Sequence, residues 1–375
     1  MSHDTQHGLP VPRLLALATA VPPHELAQAE VAAVAPRLFP DRGEELARLL
    51  PVYANAGIER RYSCLPLADY LTPDDWRGRN ARYIEGALDL LEEAACRCLA
   101  EAGLGPGAVD ALVTVSTTGL ATPSLDARLM GRLAFRPDVE RLPVFGLGCA
   151  GGVLGLGRAA ALAAARPGAR VLLLVVELCA LTFRHGDQSN ANIVASAIFG
   201  DGAAAALISA GEAEHEDAPA LVHWGEHTWP DSLEVMGWSV ENDGLGVVFS
   251  RDIPTIVRRD LGAALDGYLA RHGLERGDID HYVSHPGGAK VVRALEEAFG
   301  LQRGTLVEAR EVLRRYGNMS AASVLFVLEA VRRGRGLGGR QLLSALGPGF
   351  TAAFATLEGP GTRAPLSHGR AAAAQ

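Results

Sequence analysis

A duplication constrains this chain more than any other feature of its 375 residues. The segment GLGPGAVDALVTVS from Gly103 aligns with GLERGDIDHYVSH from Gly273, which pairs Gly103 with Gly273 and Asp110 with Asp280, both 170 residues apart. Farther on, GARVLLLVVE from Gly168 aligns with GGRQLLSALG from Gly338, again 170 apart, with Arg170 against Arg340. Between these anchors lie GCAGGVLGLG from Gly148 and GNMSAASVLF from Gly317, each a glycine, a reactive or polar residue, then small residues opening a helix. Cys149 and Asn318 are 169 apart, so all the anchors keep nearly one register, and a repeated unit of this size decides the architecture.

Within each half the pattern reads strand, turn, helix, strand. Leu142 to Leu147 is a short apolar run, residues 150–166 are rich in Ala, Leu and Gly, and the helix they predict stops at Pro167-Gly168. The uninterrupted run VLLLVV at 171–176 predicts a strand buried on both faces, which requires helices above and below the sheet. The expected fold class is α/β, a duplicated, layered αβαβα arrangement of two pseudo-symmetric halves. They would pack through Gly/Ala-rich central helices, with the site between them. The halves are expected at 11–222 and 223–358, with 1–10 and 359–375 as poorly ordered ends.

Hydrophobic residues make up 48% and charged residues 21%, which fits a folded globule and excludes a disordered chain. The net charge of -8 argues against nucleic acid, though a local basic mouth for an anionic ligand is compatible with it. Neither a signal-peptide pattern nor an uninterrupted apolar stretch of spanning length occurs, so membrane insertion is not expected. Cys64, Cys96, Cys98, Cys149 and Cys179 form neither a CxxC pair nor a zinc spacing, which suggests reduced thiols, a cytoplasmic location and no metal.

Cys149 follows the strand LPVFGLG and opens a helix, so its sulfur is expected at a helix N-terminus, where the dipole and free N–H groups favour a thiolate. An inert buried cysteine is the alternative at that position. His285 ends the strand DHYVSH and is followed by Pro286, Gly287 and Gly288, which lets the imidazole project into a cleft at a strand end. Asn318 occupies in the second half the place Cys149 holds in the first, and pseudo-symmetry would bring the two elbows together. Taken singly, His285 could be a core histidine and Asn318 a helix N-cap. A competing pattern shares the segment: Gly146, Gly148 and Gly151 form GxGxxG after a strand, and the next strand ends in Glu177, as in nicotinamide dinucleotide binding. That reading explains neither the repeat nor His285 and Asn318.

The motifs GCAGG at 148–152, FGDGAAA at 199–205, HPGG at 285–288 and GNMSAAS at 317–323 resemble the type III polyketide synthases, the chalcone synthase-like branch of the thiolase superfamily, over residues 11–358. The resemblance implies an acyltransferase in which Cys149 carries the acyl group. His285 and Asn318 would hold the thioester oxygen during decarboxylation and condensation, and Phe199 would be a gatekeeper. It further implies that Thr117, Thr118, Cys179 and Thr182 line the cavity, that Gly347, Pro348 and Gly349 form a loop at the substrate, and that Arg60, Arg61, Gly287 and Gly288 meet coenzyme A. The family's GFGPG loop reads ALGPG at 345–349 here, and no secure match for a second gatekeeper aromatic stands out between Trp238 and Phe249. The pattern TGLATPSLDARLM at 118–130 is similar to bacterial alkylresorcinol and alkylpyrone synthases, which implies a long fatty acyl-CoA starter extended with malonyl-CoA. The resemblance also implies a homodimer without bound cofactor. Ketosynthase III fed by carrier protein, a nicotinamide oxidoreductase, and a thiolase-fold protein that only binds acyl thioesters are the rival expectations.

Overall fold

The computed structural model describes residues 9–211 and 216–365. Nine strands join in one sheet whose order is His281–Ser284, Arg340–Gly347, Thr351–Glu358, Ala220–Thr228, Pro12–Ala20, Asp201–Ala210, Val171–Leu178, Ala111–Val115 and Glu140–Val144. It is really two sheets that touch at a single register pair, Arg13 with Ala220. In the first, Ala111–Val115 runs parallel to Val171–Leu178, which is antiparallel to Asp201–Ala210, which is antiparallel to Pro12–Ala20. In the second, His281–Ser284 runs parallel to Arg340–Gly347, then Thr351–Glu358 and Ala220–Thr228 follow antiparallel. The same topology has been built twice.

The repeat is visible in single hydrogen bonds. The Arg170 N–H donates to the Asp110 carboxylate at 2.8 Å, and the Arg340 N–H donates to Asp280 at 2.7 Å. The Asp110 and Asp280 N–H groups return bonds to the Arg170 and Arg340 carbonyls at 2.9 and 3.0 Å. Each aspartate thus pins the start of one parallel strand pair, which is why it recurs at the repeat distance.

Val171–Leu178 and Arg340–Gly347 are buried along their whole length, as an apolar strand covered on both faces must be. The helix Gly151–Ala165 lies between the two sheets and packs on strands of both, beside Ser323–Gly334. Small residues permit this: a Cβ added to Gly152 would sit 2.3 Å from the Ala321 carbonyl oxygen. Trp76–Glu101, capped by Asp75 accepting from the Gly78 N–H at 2.7 Å, covers the outer face of the first sheet, and Gly262–Arg271 covers the second. The layers are therefore α, β, α, β, α.

Three expectations change. The boundary at 222/223 falls inside Ala220–Thr228, a strand that belongs to the second sheet, so the halves part before Ala220. The run from Leu142 to Leu147 is an exposed edge strand, Glu140–Val144, that turns at Phe145. Of the tail expected to be loose, Gly359 donates to Gly339 at 2.9 Å and the Arg363 carbonyl accepts from Arg340 at 3.2 Å, which ties this stretch to the second sheet. Residues 1–8 and 366–375 of the expected ends lie outside the described residues. Among the described residues the one stretch long and apolar enough to cross a membrane, Gly148–Ala165, is the central helix, 78% buried inside the protein.

Candidate active site

The strand ends and helix starts of the two halves meet around a cavity of about 820 Å³ lined by Cys149, His285 and Asn318 together. Cys149 lies in the short 3₁₀ turn Gly148–Ala150 that leads into Gly151–Ala165, as the sequence implies. Gly148, at φ 47°, makes the sharp turn. The loop after Arg340–Gly347 buttresses it: a Cβ on Gly347 would lie 2.5 Å from the Leu147 carbonyl oxygen, and one on Gly148 would lie 2.5 Å from Pro348 Cδ. Gly347 and Pro348 therefore brace the nucleophile's backbone, while the Gly349 carbonyl accepts from Ser232 Oγ at 2.9 Å. None of the three lines the large cavity.

Asn318 is held from four sides. Its N–H donates to the Ile198 carbonyl at 2.7 Å and its carbonyl accepts from the Gly200 N–H at 3.0 Å. Its Oδ1 accepts from the Ser320 N–H at 2.9 Å, and its Nδ2 donates to the Gly287 carbonyl at 3.1 Å. These contacts fix the amide's orientation and leave one Nδ2 hydrogen without a partner. The pseudo-symmetric match is not residue for residue. The 3₁₀ turn equivalent to Gly148–Ala150 is Ser320–Ala322, and Ser320 repeats the positive φ of Gly148, at 45°. The counterpart of Cys149 is accordingly Ala321, and Asn318 projects from three residues earlier.

His285 is buried and neither ring nitrogen has a partner within the protein. Burial lowers its pKa to about 4, so the imidazole is neutral and offers one N–H and one lone pair to the cavity. Burial pushes the Cys149 thiol up to about 12, opposed by a hydrogen bond from Ser320 and assisted by Glu177. Desolvation of both groups thus works against the thiolate that a helix N-terminus favours.

Glu177 is the site residue that motif reading misplaced. It is fully buried, its Oε2 accepts from the Thr117 N–H at 3.0 Å and Thr118 Oγ1 at 2.8 Å, and it interacts with Ser320. Burial raises its pKa to about 7. Facing the nucleophile, it is unavailable to a ribose, and Pro348 and Ala321 fill the room a pyrophosphate would need at Gly148 and Gly151. The GxGxxG segment is a packing motif here, which removes the nicotinamide reading. Thr117 and Thr118 serve this network: Thr117 Oγ1 also accepts from the Gly148 N–H at 3.2 Å. Ser320 gave no signal beyond its place in GNMSAAS.

Phe199 stacks edge-on against Trp238 and Phe249, with centroids 6.2 and 5.8 Å away. Phe249 lines the large cavity, and it is an aromatic neighbour of Phe199 that the sequence did not single out. On the other side Phe199, Cys179, Thr182 and Arg61 border a space of about 40 Å³ with apolar walls. Arg60 and Arg61 do not reach the mouth. Arg61 is buried and donates to the Ser196 carbonyl at 2.6 Å, and Arg60 pairs with Glu25 at 3.7 Å. Gly287 and Gly288 do line the cavity.

The comparisons with known proteins agree with this geometry. The chalcone and stilbene synthase N-terminal domain family matches residues 74–212, and the C-terminal domain family of the same enzymes matches 221–359. The chain belongs to the chalcone and stilbene synthase family, the type III polyketide synthases. This type III synthase is 42% identical to a 1,3,6,8-tetrahydroxynaphthalene synthase of Streptomyces peucetius over 346 residues, 91% of this chain and 92% of the relative. It is 37% identical to a putative chalcone synthase of Bacillus subtilis over 350 residues, 90% of this chain and 96% of that one. The solved 1,3,6,8-tetrahydroxynaphthalene synthase of Streptomyces coelicolor superposes with a TM-score of 0.87 at 27% identity, over 93% of this chain and 99% of the other. The type III synthase is an acyltransferase-class enzyme of the thiolase fold, which sets ketosynthase III and a purely binding protein aside.

Proposed function

We propose that Cys149, His285 and Asn318 carry the decarboxylative condensation of malonyl-CoA onto an acyl-CoA starter. The observation that supports this most is one cavity, formed between the halves, that holds a thiol, a neutral imidazole with both nitrogens free, and a fixed amide with a spare hydrogen. Cys149 loses its proton to His285 as its sulfur attacks the starter carbonyl, and CoA leaves as the thiol after taking that proton. In malonyl-CoA the bond to the carboxylate then breaks, CO₂ departs, and the electron pair moves onto the thioester oxygen. The His285 N–H and the free Asn318 Nδ2–H stabilise that enolate in a water-poor site. Its carbon attacks the Cys149 thioester and expels the thiolate, giving a β-ketoacyl-CoA that can be reloaded and finally cyclised. No bound cofactor is needed for these steps.

For the starter we favour a short acyl group, malonyl included. The space beyond Phe199 is about 40 Å³ against about 820 Å³ for the main cavity, and the relative at 42% identity is a tetrahydroxynaphthalene synthase. A long fatty acyl starter leading to an alkylresorcinol or alkylpyrone is the second reading, supported by the apolar walls of Leu26, Val31, Leu38 and Phe183 around that space. It requires those walls to part.

A homodimer is also proposed. Glu140–Val144 is an edge strand with one side unpaired, and Leu142 within it and Phe145 just after it are exposed, an arrangement that natural proteins cover. All five cysteines are free, which supports a reducing compartment such as the cytoplasm.

The test is product analysis with labelled malonyl-CoA, alone and with acyl-CoAs of several lengths, beside Cys149→Ala. Labelled cyclic polyketides that disappear in the variant are the expected result. No turnover of any thioester would sink the proposal.

A further inference from the structure

Two arginines are buried among the described residues, and they are satisfied very differently. Arg340 donates from Nε to Glu358 at 2.8 Å, and from Nη1 and Nη2 to the Asp278 and Arg363 carbonyls, both at 3.2 Å. Arg61, on the short strand Arg60–Ser63, is 2% exposed, yet its Nη1 has no hydrogen-bond partner among the described residues. Its Nη2 donates to the Ser196 carbonyl at 2.6 Å. Asp201 acts on it through space, while the Asp201 oxygens accept from the Cys64 and Ala180 N–H groups at 3.0 and 2.8 Å. A guanidinium taken out of water is costly unless its hydrogens are used, and Nη1 carries two that are not.

Arg61 borders the space of about 40 Å³ behind Phe199. Its stem packs against the backbone that carries the site: a Cβ on Gly317 would lie 3.4 Å from Arg61 Cβ, and one on Gly200 would lie 3.2 Å from it. Other polar groups around the space have already given their hydrogens. Asn192 Nδ2 donates to the Arg184 and Asp187 carbonyls at 2.9 and 2.7 Å, Thr182 Oγ1 to the Cys179 carbonyl at 2.7 Å, and Ser196 Oγ to the Ile193 carbonyl at 2.8 Å. Cys179, on the wall of the same space, is near enough to Cys149 for the two sulfurs to interact electrostatically. An acyl group on Cys149 whose far end passes Cys179 and Phe199 therefore meets a positive charge with unused N–H donors, among walls that are largely apolar.

We infer that Arg61 determines starter specificity by binding, through Nη1, a carboxylate at the far end of the acyl group. This rests on the thioester chemistry and the short starter proposed above, and it names the end group that the starter carries. A carboxylate matches a guanidinium in charge and in donor geometry, and pairing the two removes the cost of burying either alone. An alkyl end of the same length would fill the space and leave Nη1 unpaired, and a site built to hydrogen-bond one substrate rejects the analogue that lacks the bond. In loading, the Cys149 sulfur bonds to the acyl carbon, the bond from that carbon to the CoA sulfur breaks, and CoA leaves with the thiol proton. The carboxylate takes no part in this step, so Arg61 selects the starter away from the reacting atoms.

The experiment offers the enzyme equal amounts of succinyl-CoA and butyryl-CoA, whose acyl groups have the same carbon count and end in a carboxylate and a methyl group. Intact-protein mass spectrometry compares the two adducts on Cys149. The wild type should load the succinyl group in roughly tenfold excess or more. Arg61→Met, which keeps the stem and removes the charge, should load the two about equally, and Arg61→Lys should keep part of the preference. A wild type that loads butyryl as readily as succinyl overturns the inference, whether or not the variants fold. A folded Arg61→Met that loads both more slowly at the wild-type ratio overturns it too, since Arg61 would then only support the fold. If no thioester loads on the wild type, that failure falls on the proposed reaction, and sodium acetate tests the site by itself. Acetate should raise the unfolding temperature of the wild type above its value in sodium chloride of the same ionic strength, and the absence of a rise would overturn the inference.

Discussion

Phe199 and Asn318 are joined by a single parallel β-bridge that links the first half to the second. The Asn318 N–H donates to the residue before Phe199, and the Asn318 carbonyl accepts from the residue after it. The Phe199 ring and the Asn318 amide that lines the large cavity therefore share one backbone unit, and a change at either is felt at the other's position.

Replacing Asn318 by Ala removes the amide while the bridge, which is backbone only, persists. Decarboxylation of malonyl-CoA should fall by about 100-fold, the usual cost of one donor to a developing oxyanion. Acylation of Cys149 by the starter should continue. Intact-protein mass spectrometry should show the acyl adduct accumulating, and its absence would mean that Asn318 serves loading instead.

Phe199→Leu shortens the side chain between the cavity of about 820 Å³ and the space of about 40 Å³. Connecting the two should lengthen or rebranch the products, and longer acyl starters should gain relative to short ones. The product profile by liquid chromatography and mass spectrometry checks this. An unaltered profile would take the gate role away from Phe199.

Gly347→Ala places a methyl group against backbone, at 2.5 Å from the Leu147 oxygen and 2.8 Å from the Ala150 nitrogen. Neither can move without displacing Cys149. Stability should drop by about 1–3 kcal/mol, as overpacking typically costs, and the acylation rate should fall by more than that loss accounts for. Thermal unfolding and single-turnover loading measure the two effects separately.

Two buried carboxyls give stability a pH dependence. Burial raises Glu177 from an ordinary 4.5 to about 7 and Asp201 from 3.8 to about 6. Between those values the folded chain holds protons that the unfolded chain has lost, so the stability they contribute is complete below pH 4 and disappears as pH rises through 6 and 7. His285, lowered from 6.5 to about 4, acts in the opposite sense: its contribution is present above 6.5 and is lost as pH falls toward 4. Glu177→Gln should therefore gain stability relative to wild type in urea melts as pH is raised from about 5 to about 8. A constant difference across that range would contradict burial as the cause.

What the sequence revealed followed from the repeat. Asp110 and Asp280 were legible because each performs a local job, bonding the N–H of an arginine on the neighbouring strand, and a local job recurs at a fixed spacing. That Cys149, His285 and Asn318 line one cavity was legible because each lies at a glycine-marked turn between elements. The exact counterpart of Cys149 was not, since a shift of a few residues inside a loop leaves the repeat distance almost unchanged while moving a side chain to another wall. Arg60 and Arg61 misled for a related reason: charge type is visible in a sequence, but whether a guanidinium faces water or a buried carbonyl depends on packing from Ser196, far along the chain. Phe249 could not be weighted at all without knowing that Phe199 lies beside it.

The close approach of Gly152 to Ala321 has a consequence for how new products arise. Two backbones in contact across the molecular midline leave no hinge, so the halves cannot open and shut around a growing chain. Such an enzyme measures its product the way a mould does, by the fixed shape of its walls. A single wall substitution then alters what is cast while the scaffold and the chemistry stay the same.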